Sequence, residues 1–130
     1  MAARQRAGDR LLRRGAELAP FAVARLPEAL RARVVHLTML GPSPTANFTF
    51  HLIDLLKDTA RPDDVAMLPE VERLRGLPML CLYGREEKQS LCTILPAGLA
   101  HVVGLEGGHH FDKDFAALAT RILDDLRTAR

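Results

Sequence analysis

The sequence predicts an α/β fold of about three parallel strands with flanking helices, and three observations predict it. Short, nearly continuous apolar runs stand at Val34–Leu40, Met79–Gly84 and Ala100–Leu105, as in strands buried on both faces. Segments with a 3.6-residue apolar period lie between and after these runs. Alternation of the two kinds of element implies a parallel sheet joined by right-handed crossovers.

The elements follow in order. Glu17–Leu26 is expected to be helical, with Leu18, Phe21, Ala22 and Leu26 on one stripe. Pro27 and the short Glu28–Arg33 segment close it. The first strand, Val34–Leu40, is stopped by Gly41-Pro42. Residues 41–66 form a long connection holding Pro42, Pro44 and Pro62, and a connection of that length is often functional. Its middle, Phe48–Leu56, is a candidate helix over the site. Leu68–Leu74 reads as a second short helix, and Gly76-Leu77-Pro78 leads into the strand Met79–Gly84. Residues 85–99 are an acidic-to-polar loop ending in a short helical turn, before the third strand. Asp112 or Asp114 caps the last helix, on which Phe115, Leu118, Ala119, Ile122 and Leu126 make an apolar stripe.

Composition limits the function classes. A chain of 130 residues has room for one domain, and 48% apolar residues support a packed core. A charged fraction of 26% and a net charge of +2 do not describe a nucleic-acid specialist. Charge is uneven, however: residues 1–14 carry Arg4, Arg6, Arg10, Arg13 and Arg14 against Asp9 alone. Five arginines are a thin basis for an arm that binds nucleic acid. This stretch is expected to be irregular or disordered, with the domain over residues 15–130. No apolar run approaches the ~18 residues of a membrane span, and the arginines precede no apolar h-region of a signal peptide. Cys81 and Cys92 lack Cys-x-x-Cys spacing, which argues against a thioredoxin-type motif or a zinc knuckle. In an oxidising compartment they can close a loop; in a reducing one they are ordinary thiols.

The chemistry gathers at Gly107-Gly108-His109-His110-Phe111-Asp112, between the third strand and the last helix. Two glycines free the turn from Cβ clashes, so a ring can be held at the carboxyl edge of a sheet. An imidazole there can take a proton from a hydroxyl nucleophile and return it to a leaving group. His109 is the candidate base and His110 its neighbour; the competing reading is a histidine that caps the turn. His36 and His101 lie in strand runs, where a satisfied structural role is expected. After the second strand, Tyr83-Gly84-Arg85-Glu86-Glu87-Lys88 offers an acid to orient the histidine, Glu87 first and Glu86 second, against the reading of a solvated charge run. Zinc ligation by His109, His110, Asp112 and His51 is disfavoured, because adjacent histidines on a turn point apart and no helical His-x-x-x-His pattern backs them. No cofactor is called for.

Beyond single motifs, a set of anchors runs from Gly15 to Ile122: Gly15-Ala16-Glu17, Pro20-Phe21-Ala22-Val23, Arg25-Leu26-Pro27, Leu40-Gly41-Pro42-Ser43, Phe48-Thr49-Phe50-His51, Leu68-Pro69-Glu70-Val71, Leu77-Pro78-Met79-Leu80-Cys81, Tyr83-Gly84, Ser90-Leu91-Cys92 and Gly107–Asp112. In these the chain resembles the VirJ/AcvB-type bacterial virulence protein family of the α/β-hydrolase superfamily. The resemblance implies a periplasmic serine esterase, with aminoacylated phosphatidylglycerol as substrate and, in some members, a link to type IV secretion. It also implies a triad position for His109, an acid near Glu87 and a pairing of Cys81 with Cys92.

The resemblance breaks at the N-terminus. The family's elbow reads Gly-aromatic-Ser-aromatic-Gly-Ala-Asp, and laid on this chain its second glycine falls on Gly15 and its Asp on Glu17. The nucleophile position then holds Arg13, the first glycine Leu11, and the aromatics Leu12 and Arg14. A guanidinium stays protonated and cannot accept an acyl group. Two readings follow. In one, the chain is the C-terminal portion of a serine hydrolase, holding the base and acid without the nucleophile and inactive alone. In the other, it is a non-catalytic interaction module that self-associates or takes a partner at an exposed sheet edge.

Overall fold

Met79–Gly84 is the most deeply placed strand among the described residues, and the fold is built around it. The structure is a computed structural model that describes residues 15–46, 64–108 and 111–129. In chain order the elements are helix α1 (15–24), α2 (Glu28–Arg31), strand β1 (Leu37–Leu40), β2 (Thr45–Ala46), β3 (Val65–Ala66), α3 (Leu68–Glu72), β4 (Met79–Gly84), a 3₁₀ segment (Leu91–Ile94), β5 (His101–Leu105), a tight turn (Phe111–Lys113) and α4 (Phe115–Thr128). The main sheet has the order β1-β4-β5, with both pairs parallel. Leu37 stands opposite Met79, and Cys81 stands between Met39 and Val102. An unbroken apolar run suits β4 because it is the middle strand, with a helical layer on each face.

The two faces of the sheet have separate cores. On one, Leu37, Met39, Met79 and Cys81 pack with Phe21 of α1, Val71 of α3, Leu74, Leu91 and Cys92. On the other, Leu80 and Leu82 pack with Phe111 and with Leu118 of α4, and Leu40, Val103, Leu105 and Ile122 close around them. Period-two alternation along β4 thus divides its side chains between two helical layers. Arg25, the residue after α1, is joined to Glu70 of α3 through two hydrogen bonds of 2.9 and 3.1 Å. The Arg25 guanidinium holds the Glu70 carboxyl below its ordinary range, against the opposing effect of burial.

Several expectations are corrected here. The first strand begins at Leu37 rather than Val34, because Val34 donates to the Arg31 carbonyl in closing α2 and Leu37 makes the first bond to the sheet, to Pro78. In α1 the inward residues are Glu17, Pro20 and Phe21, and Leu18 and Ala22 face outward. In α4 only Leu118 is buried; Ile122 and Leu126 are half-buried, and Phe115, at the end of the helix, is 63% exposed. The long connection is closed at its base by β2 and β3, paired antiparallel with Thr45 opposite Ala66. The helix expected at Phe48–Leu56 lies outside the described residues, as do residues 1–14. Among the described residues no helix is long and apolar enough to cross a membrane.

Candidate active site

Parallel strands send their following loops to one edge of the sheet, and here the loop after β4 lies between those after β1 and β5. Backbone hydrogen bonds join all three. Arg85 donates to the Leu105 carbonyl at 2.8 Å and Glu86 to the Gly107 carbonyl at 3.1 Å. Leu91 donates to the Pro42 carbonyl at 2.9 Å. The acid-bearing turn after β4 is thus in direct backbone contact with Leu105 and Gly107.

Glycine makes this contact possible at two positions. A Cβ on Gly84 would lie 2.1 Å from the Gly108 carbonyl oxygen and 2.5 Å from that of Gly107, so the second turn passes over a residue with no side chain. Gly107 has φ +90°, and a Cβ there would meet the Asp112 carboxylate at 2.4 Å. The far arm of the turn therefore folds back onto its near arm.

His109 and His110 lie outside the described residues. The residues on either side are joined, with Phe111 donating to the Gly108 carbonyl at 2.9 Å. Phe111, Asp112 and Lys113 then take φ of 54°, 54° and 59°. Three successive non-glycine residues in the left-handed region cost roughly 1–2 kcal/mol each, so surrounding contacts must hold them. Phe111 supplies one such contact, buried against Leu80, Leu82 and Leu118. Asp114 follows and its carboxylate accepts from the Ala117 amide at 3.1 Å, so of the two proposed caps it is Asp114 that starts α4. Backbone strain of this kind clusters at functional turns.

The two acids differ in placement. The exposed Glu86 carboxylate lies 4.0 Å from where a Cβ of Gly108 would be. Glu87 is half-buried, with its amide tied to the Gly84 carbonyl at 2.9 Å. Cys81 and Cys92 are joined by a disulfide with Cα atoms 5.5 Å apart, which decides between the bridge and the free thiols.

A second polar cluster sits at the opposite edge of the sheet. The Asp125 carboxylate of α4 accepts from His36 Nε2 at 2.8 Å and, through its other oxygen, pairs with His101 Nδ1. Thr38 Oγ1 lies 3.3 Å from His36 Nδ1. Burial raises the Asp125 pKa, but hydrogen bonds from His101 and then His36 outweigh it, and the net position is below the ordinary value. Both histidines thus have the structural role expected of them, tying the residue before β1 and the first residue of β5 to α4. Sequence reasoning missed Asp125; its signal was an acid at the spacing of the inward-facing Leu118–Ile122 stripe. Among the described residues no group of three or more His, Cys, Asp or Glu could hold a metal ion.

The fold class is α/β, a three-stranded parallel sheet flanked by helices. A family model for the bacterial virulence protein VirJ matches residues 12–130, and the chain belongs to that family. No curated protein and no solved structure matches it.

Proposed function

We propose that this virulence-family chain carries the base and acid of a serine esterase acting on aminoacylated phosphatidylglycerol. His109 is the general base and Glu87 the orienting acid, with Glu86 the second candidate. The imidazole takes the proton of an attacking hydroxyl and passes it to the leaving glycerol oxygen. The carboxylate holds the ring's Nδ1–H and balances the imidazolium charge that forms. One observation carries the reading: the acid-bearing turn donates from the Glu86 amide to Gly107, two residues before His109, across a glycine that exists to let them meet. The disulfide supports an oxidising compartment, as the periplasm is.

On this reading Arg13 stands at the nucleophile position of the family's elbow, and the chain is inactive alone. Purified chain with a p-nitrophenyl ester or with lysyl-phosphatidylglycerol vesicles is expected to give neither burst nor turnover. Turnover abolished by His109→Ala would overturn the inactivity while supporting the base. The pair itself is tested by proton NMR. A downfield, exchange-protected Nδ1 proton of His109 should vanish in Glu87→Gln and persist in Glu86→Gln, and its absence from the wild type would refute the pairing.

The second reading, an interaction module linked to secretion or virulence, rests on the sheet order. β1 and β5 are the outer strands, and Val102 of β5 is 39% exposed. Sedimentation velocity tests it: a monomer at all concentrations would remove self-association through an edge.

A further inference from the structure

The Cys81–Cys92 bridge is placed where it affects more than overall stability. Cys81 lies in the middle strand and Cys92 in the 3₁₀ segment, with relative exposures of 0% and 2%. The ring they close contains the end of β4, the Arg85–Glu87 turn and Ser90. From this ring Arg85 and Glu86 donate to Leu105 and Gly107, and Leu91 donates to Pro42. The ring is therefore the piece against which the loops following β1 and β5 are both held. Its outer part is exposed at Arg85, Glu86, Lys88 and Gln89, and the Arg85 guanidinium pairs with Glu106 of the loop after β5 at the surface. The return arm is secured at Ser90–Cys92, where the Ser90 hydroxyl accepts from the Cys92 amide at 3.2 Å and the bridge fixes Cys92 to the sheet.

We propose that the disulfide is an oxidation-dependent latch on the carboxyl edge of the sheet. In the oxidised chain the Arg85–Glu87 turn is clamped against Leu105 and Gly107. In the dithiol chain that turn releases, and Gly107–Gly108 and Phe111–Lys113 relax with it, while the three-stranded sheet persists. The sheet persists because the core of Leu80, Leu82, Phe111 and Leu118 holds neither cysteine, and in the other core Leu37, Met39, Val71 and Leu74 still pack around two buried thiols. The second turn relaxes because its three left-handed residues and its crowded passage over Gly84 are conformations that only surrounding contacts maintain.

The redox step is a two-electron exchange with a dithiol of the thioredoxin class. A thiolate attacks one sulfur and forms a mixed disulfide, and the second thiol of the reductant displaces it. The reductant leaves as a disulfide, and two protons remain on Cys81 and Cys92 as thiols. Both sulfurs are closed to solvent, so exchange requires opening of the ring, and the latch is set as the chain folds. The inference concerns loop order and stands whether or not the edge is catalytic.

The test is backbone ¹⁵N relaxation on the full chain in three forms: oxidised wild type, wild type reduced in denaturant and refolded under dithiothreitol, and Cys81→Ala/Cys92→Ala. Order parameters near ~0.85 mark rigid backbone and values under ~0.6 mobile backbone. In the oxidised form Arg85–Glu87 and Phe111–Lys113 should be rigid. In both bridge-free forms they should fall to the mobile range, with β1 and β4 keeping their rigid order parameters. Equal order in all three forms would overturn the latch. So would loss of the sheet resonances together with the turns, because the bridge would then be a global staple.

Discussion

Gly84→Ala is the sharpest test of how the edge is assembled. The new Cβ would stand 2.1 Å from the Gly108 oxygen, 2.5 Å from the Gly107 oxygen and 2.6 Å from the Gly108 carbonyl carbon. Non-bonded atoms of this kind separate at roughly 3.5 Å, so the overlap exceeds an ångström. All three obstacles are backbone, and no side-chain rotation relieves them. The Gly107–Gly108 segment must move, which breaks the Glu86–Gly107 hydrogen bond and strains the one from Arg85 to Leu105. Two bonds at about 1 kcal/mol each, with about 1–2 kcal/mol of overpacking, predict a loss of about 3–4 kcal/mol. At a slope of about 2 kcal/mol per molar urea, the unfolding midpoint falls by roughly 1.5–2 M. Gly15→Ala is the control, since nothing lies within 4 Å of its Cβ, and it should be neutral or gain up to about 1 kcal/mol. A Gly84→Ala midpoint equal to wild type would refute the close passage of the two turns.

Other outcomes follow from the rest of the structure. Asp125→Ala should cost about 1–3 kcal/mol in chemical denaturation, because it strips the acceptor from His36, whose side chain is 6% exposed. Asp125 has its folded pKa below the ordinary 3.8, so its stabilisation is complete above that value and lost as pH falls through the folded one. Acid unfolding of Asp125→Asn should lack that component, and superimposable acid profiles would refute the bridge to the histidines. Cys92→Ser should lower unfolding free energy by about 3 kcal/mol, the loop-closure value for a sequence separation of 11, measured against the oxidised wild type. A smaller loss than about 1 kcal/mol would show that the unfolded chain is not constrained by the ring.

The class of fold and the strand positions were legible in the sequence because they depend on local pattern. Met79–Gly84 is a strand in the structure to the residue, since an unbroken apolar run of that length has only the middle of a parallel sheet to occupy. Ala100–Leu105 and Leu68–Leu74 were nearly as legible. Val34–His36 misled because apolar residues look alike whether they close a helix or pair in a sheet, and the Arg31 carbonyl decided it. Phe115 misled because periodicity reports which side chains share a face, not how far the opposing surface extends along it.

At the candidate site, the sequence alone marked the Gly107–Asp112 turn and the Glu86–Glu87 loop. Their meeting needed the β4–β5 pairing, which brings residues more than twenty positions apart into one register, Gly84 opposite Leu105. The necessity of Gly84 is likewise invisible in one dimension, because its neighbours are carbonyls from another loop. Asp125 shows the same limit most plainly. It is 24 residues from His101 and 89 from His36, and only α4 lying back across the sheet brings a carboxylate between the two outer strands. Backbone pattern is written locally by burial and period, whereas a polar cluster or a close passage is a property of distances that exist only after packing.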